Sequence, residues 1–172
     1  MRHGCAIKAL GVQVAVLLAW SQPVAAAAKG PALASRDQTA IRKFVTDIFS
    51  GYVAGRDAPP WIRAFTPPMR HLIAHNRLLN HGAESEAIGA DPICGCQDWQ
   101  TIRITGLALE LRPDGKVLAT VRFLNFGPST RAFIVARTQR GWLLDDVIER
   151  EHFGLRDALL RDNWHLVRYG SH

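Results

Sequence analysis

The 172-residue sequence contains no G-x-S-x-G elbow, no phosphate-binding glycine loop and no dinucleotide fingerprint. None of the nucleophile-elbow or nucleotide-handling chemistries is therefore assembled along it. Tyrosine is scarce at two residues, and cysteine at three. Three cysteines cannot alone complete a structural zinc site, which takes four ligands, usually from two spaced pairs. His71 and His75 share a helical face, but Leu72, Ile73 and Ala74 stand between them where a zinc-protease helix carries its glutamate. His71, His75 and His81 are accordingly read as solvated or capping residues, and neither metal nor cofactor is expected. No apolar run after the first twenty residues approaches the roughly 20 needed to cross a bilayer. Internal repeats, low-complexity tracts and runs of basic residues are also missing. The formal charge of +6 is spread along the chain, and with export in view this excludes a nucleic-acid role in favour of solubility.

What is present begins with an address. Residues 1–8 are short and basic, 9–20 are almost wholly apolar, and SQPVAAAAKG follows with Pro23 and a run of small residues. That order is a secretory signal peptide, with cleavage equally placed after Ala26, Ala27 or Ala28. Cys5 precedes the apolar core, so no lipid anchor is expected. Taking residues 1–28 as the signal leaves residues 29–172, a length suited to one domain with one core. The mature chain would be periplasmic, with no membrane span.

The mature chain changes period midway. Asp37 can cap a first helix whose apolar positions, Ile41, Phe44, Val45, Ile48, Phe49 and Tyr52, share one face. Residues 61–65 can form a helical turn. Pro67 and Pro68 then open a second helix, with Met69, Leu72, Ile73, Leu78 and Leu79 inward. From residue 101 the apolar period becomes two. Ile102 and Ile104 fall on even positions and Leu107, Leu109 and Leu111 on odd ones, so a bulge is expected at Gly106. Turns at Pro113-Asp114-Gly115, Gly127-Pro128-Ser129 and Arg140-Gly141 delimit four strands. Residues 154–168 close the chain as a helix with Leu155, Leu159, Leu160 and Trp164 inward. The expected class is α+β: N-terminal helices on a curved, cone-like, four-stranded antiparallel sheet, with a closing C-terminal helix.

Ile48 to Tyr52 (IFSGY), Asp91-Pro92, Gln97-Asp98-Trp99 and Trp142 to Ile148 (WLLDDVI), in this order, resemble a family of small exported bacterial proteins of unknown function. The resemblance implies a nuclear-transport-factor-2-like cone. Some relatives in that family are periplasmic immunity proteins that block peptidoglycan-amidase effectors of type VI secretion. It therefore implies an exported, non-catalytic binding protein, immunity- or inhibitor-like, that holds a protein or a small envelope ligand. The partner would be an effector or an envelope protein, in an oligomeric state the sequence leaves open.

The stretch GADPICGCQDW, residues 89–99, sits at the switch of period. Exported cysteines tend to pair, and Gly95 helps the backbone close the small ring that a Cys94–Cys96 disulfide requires. A thiol-exchange site would be C-x-x-C at a helix start, not C-x-C in a loop. Asp91, Gln97, Asp98 and Trp99 are the expected binding loop, and Tyr52, Trp142 and Asp146 the expected pocket of the cone. Asp91 is expected to cap a turn and Asp98 to bond loop amides. The rival reading is a cone-fold enzyme with Asp98 or Asp146 as general base. Asp145 and Asp146 should fall on opposite strand faces, so that only one enters the cone.

Overall fold

The computed structural model describes residues 32–82, 86–150 and 153–170; the signal peptide read at 1–28 lies outside them. Helices stand at both ends of an antiparallel meander. The elements are α1 (Ser35–Phe49), α2 (Pro67–Leu79), β1 (Arg103–Leu111), β2 (Val117–Asn125), β3 (Gly127–Thr138), β4 (Gly141–Arg150), β5 (Phe153–Gly154) and α3 (Leu155–Tyr169). Strand order follows chain order, β1-β2-β3-β4-β5. The sheet thus has five strands where the sequence pattern indicates four. The fifth is two residues long, too short to show any alternation.

Helix α1 buries Ile41, Val45 and Phe49 at a spacing of four, which lines up one face. It begins two residues before Asp37, which is therefore not the cap; its carboxylate instead accepts from Arg137 at 3.1 Å. Tyr52 lies beyond the helix, after a turn closed by its own amide on the Phe49 carbonyl, and is still wholly buried. Phe49 is the centre of an aromatic cluster, 5.1 Å from Phe123 and 6.1 Å from Phe133 between ring centroids. Those rings come from β2 and β3, whose odd positions Val117, Ala119, Val121, Phe133 and Val135 complete the floor of the core.

The register shifts in three strand pairs, the last between Ile148 and Arg150 where β4 meets β5. In β1 the register shifts between Ile104 and Gly106, so the slip of parity is a real extra residue. In β4 Val135 pairs with Leu144 and Ile134 with Asp146, leaving Asp145 as the extra residue. Phe65, just before α2, bridges Leu144 in parallel, and the Thr66 amide donates to the Leu144 carbonyl at 2.8 Å. The bulge is thereby tied to the start of α2. The β2–β3 connection is tighter than the Gly127-Pro128-Ser129 signal suggests, because those residues already belong to β3. Phe126 alone forms the tip.

Helices α2 and α3 pack on each other through a polar seam. Asn76 and Asn163 are both buried, and Asn76 Nδ2 donates to Asn163 Oδ1 at 2.7 Å and to Asp162 at 2.8 Å. Asn76 continues the buried stripe of Met69 and Ile73, and Asn163 that of Leu155 and Leu159. Leu78 and Trp164 instead lie nine positions from Met69 and Leu155 respectively, about half a turn out of phase. Leu78, Leu160 and Trp164, expected inward, are 76%, 52% and 57% exposed. Met69, Ile73, Leu155 and Leu159 do reach the core. No helix among the described residues is long and apolar enough to cross a membrane.

Candidate functional site

Residues 89–99 form a corner organised by one carboxylate. Asp91 Oδ1 accepts from the Ile93 amide at 2.8 Å, the Cys94 amide at 3.2 Å and the Tyr52 hydroxyl at 2.7 Å. Asp91 also uses its backbone: its amide donates to the Cys96 carbonyl at 3.1 Å, and its carbonyl accepts from Gly95 at 2.7 Å. An aspartate before proline bonding amides two and three residues on is an Asx-type turn, here closed on itself by a Cys94–Cys96 disulfide. Gly95 takes the left-handed φ of +64° that an L side chain resists, and a Cβ there would lie 2.9 Å from the Arg131 guanidinium. That guanidinium supports the corner from β3, donating to the Pro92 carbonyl at 2.9 Å. Ile93, wholly buried, anchors the corner to the core.

The corner therefore turns two of its four expected binding residues inward. Asp91 is consumed as described. Trp99 is half-buried, edge-on to the Tyr52 ring at 5.8 Å. Asp91 Oδ2 and Trp99 Nε1 are both buried without a hydrogen-bond partner among the described residues. Burial, and then the neighbouring Asp91 carboxylate, push the Tyr52 phenol far above the usual tyrosine range, so it remains a neutral donor. Gln97 and Asp98 point outward and are exposed.

The far side of this exposed pair is fixed by the β2–β3 hairpin. Asn125 Oδ1 accepts from the Gln100 amide at 2.9 Å, and Asn125 Nδ2 donates to the Asp98 carbonyl at 3.2 Å. The next residue, Phe126, is 69% exposed and holds a φ of 56°. A bulky residue in that region is a genuine outlier, and such conformations cluster at functional sites. Sequence reasoning passes over Phe126 because no alternation or turn signature marks it; the only signal is a Phe before Gly127 where a turn residue is expected.

Tyr52, Trp142 and Asp146, expected to share a pocket, have three separate sets of partners. Tyr52 belongs to the corner. Trp142 packs at the edge of the core, with Arg137 over its ring at 5.9 Å. Asp146 Oδ1 accepts from the Val147 amide at 2.8 Å and the Arg156 amide at 2.9 Å. It thereby serves the first turn of α3, whose own cap position is a glycine. A Cβ at Gly154 would overlap the Asp146 carboxylate. Burial raises the Asp146 carboxyl; the two amide bonds and the Arg156 charge oppose this without cancelling it.

Asp145 has the opposite balance. Its carboxylate accepts from Thr66 Oγ1 at 3.0 Å, Lys116 Nζ at 2.8 Å and Arg156 at 3.1 Å. Desolvation pushes its carboxyl up, but the bonds from Lys116 and Thr66 and the Arg156 charge outweigh that and hold it below the usual range. The bulge falls at this pair, and both carboxylates engage Arg156, Asp145 through the guanidinium and Asp146 through the backbone amide. Compared with family models, curated proteins and solved structures, the chain matches none of them.

Proposed function

We propose that this chain is an exported, non-catalytic binding protein that presents Gln97, Asp98 and Phe126 to a protein partner. The observation that carries the reading is Phe126, an exposed aromatic in a strained left-handed conformation, tied through Asn125 to the backbone of residues 98–100. Exposed aromatics seated on rigid supports are the usual anchors of protein interfaces, and a preorganised loop loses little freedom on binding. The Cys94–Cys96 disulfide supports an oxidising compartment, in keeping with a signal peptide at 1–28 and a periplasmic mature chain. The bends introduced by the bulges of β1 and β4 are in keeping with a cone-like sheet. The resemblance to exported immunity proteins makes a cell-wall amidase effector the first partner to try.

The rival reading, an enzyme with Asp98 or Asp146 as general base, has the raised carboxyl of Asp146 in its favour. Against it, Asp146 Oδ1 is already committed to two amides, and Asp98 is exposed. A photo-crosslinking residue at position 126, with one at Arg140 as control, tests the binding reading in the periplasm. A discrete adduct from position 126, missing from the control and lost when Asp98 is changed to Ala, supports it. Equal labelling from both positions contradicts it. Phe126→Gly separates binding from folding: it should abolish capture while leaving stability unchanged or raised by about 1 kcal/mol, since left-handed strain of about 1–2 kcal/mol is relieved.

A further inference from the structure

Beside α2 lies an open cleft of about 540 Å³, in the range of small-molecule sites. One wall is Pro59, Pro60, Trp61 and Ile62, the stretch that makes a 3-10 turn before α2. The other is α2 itself, through Ile73, Ala74, Arg70 and Arg77, and Ile88 closes one end. The lining is apolar apart from Asn76 and the two arginines, and no described carboxylate lines it. Asn76 is already occupied by Asn163 and Asp162 of α3.

Arg112, Arg137 and Arg156 are paired with Asp114, Asp37 and Asp145, and Arg131 holds the Pro92 carbonyl. Arg70 and Arg77 form no side-chain hydrogen bond or ion pair among the described residues, although Arg70 is half-buried. Arg70 is set apart by its burial, since exposed arginines such as Arg36, Arg56, Arg63 and Arg103 also form no side-chain hydrogen bond or ion pair among the described residues. Seven residues apart, they sit on one helical face about 10 Å from each other along the axis. A half-buried guanidinium beside an apolar wall, with no anion among the described residues to meet it, is a ready-made partner for one supplied from outside.

We infer that this cleft binds a small amphipathic oxyanion, its apolar body against Trp61, Ile62 and Ile73 and its head on Arg70, with Arg77 at the mouth. None of Asp91, Gln97, Asp98 or Trp99 lines the cleft, so the inference stands apart from the protein-binding reading.

Calorimetric titration of the mature protein with decanoate, decyl phosphate and decanol, each below its micellar concentration, tests it. Tighter binding of either anion than of decanol, by about tenfold or more, is expected. That margin should be lost in Arg70→Gln and reduced in Arg77→Gln, and kept in Arg140→Gln. Decanoate binding more tightly than decyl phosphate would assign a carboxylate head, and the reverse order a phosphate head; both uphold the site. Chemical shift changes at the Trp61 indole should accompany binding. Thermal melts of the variants check that each remains folded. Equal binding of decanol and the anions, indifference to Arg70→Gln in a folded variant, or no binding of any amphiphile would each overturn the inference.

Discussion

The corner at 89–99 and the cleft beside α2 are built on opposite terms. In the corner, one aspartate takes up two backbone amides and a tyrosine hydroxyl, and an arginine from β3 takes up a backbone carbonyl. Asp91 Oδ1 and the corner's backbone are spent internally, Asp91 Oδ2 and Trp99 Nε1 are buried without a partner among the described residues, and Gln97 and Asp98 face outward. In the cleft, two arginines line an apolar wall and no carboxylate of the described chain answers them. The first region is held by its own chemistry and displays a surface; the second leaves charge available. Polar residues near each other on a structure therefore differ in meaning according to whether their bonds close within the chain.

This contrast breaks first at Asp91. Asp91→Ala strips a charged acceptor from three donors at once, and the expected loss is about 3 kcal/mol or more, since buried unsatisfied donors cost about 1–3 kcal/mol each. Denaturant unfolding measures it. Arg70→Gln with Arg77→Gln should cost within about 0.5 kcal/mol, as surface changes without internal partners do. Equal losses in the two variants would erase the distinction.

A second internally satisfied centre, Asp145, sharpens it through pH. Its folded-state carboxyl lies below the unfolded value, so its contribution is complete above about pH 3.9 and is lost as pH falls through the lower folded value. Asp146 runs the other way. Its raised carboxyl favours the folded state when protonated, and that contribution is lost as pH rises through the folded value. Asp145→Asn should flatten the acid limb of the stability profile, whereas Asp146→Asn should leave that limb in place. An unchanged acid limb in Asp145→Asn would remove Asp145 from the set of groups that hold the fold.

The disulfide is the smallest of the corner's supports. A ring of about three residues restricts the unfolded chain by about 1.5 kcal/mol at most. Cys94→Ser with Cys96→Ser should accordingly remain folded, with a modest fall in the unfolding midpoint. A failure to fold would mean that the bridge, and not Asp91, organises the corner.

Much of this was legible in the residue pattern. The change from helical to alternating period, the slip at Gly106, the Pro113-Asp114-Gly115 turn and the apolar faces of Ile41, Val45 and Phe49 follow from spacing alone. The positions that escaped are those where polar contacts set the geometry. Leu160 and Trp164 fall outside the stripe set by Leu155 and Leu159, whose next position is Asn163, and hydrophobic periodicity carries no information about a stripe that continues through an asparagine. The role of Asp146 at α3 also escaped, because its donor lies ten residues later and the helix's own cap position is Gly154. Asp91 could be placed in a turn from its neighbour Pro92, whereas its bond to Tyr52 spans 39 residues. The arginines of the cleft carry no sequence signal at all, since an arginine with a partner and one without are spelled the same way.

Native-state hydrogen exchange at the Ile93 and Cys94 amides bears most directly on the corner, because both donate to Asp91. If the corner is rigid and closed on itself, both amides should exchange only through openings whose free energy approaches that of global unfolding, and Asp91→Ala should release them. Exchange at rates near those of an unstructured loop in the native protein would contradict it.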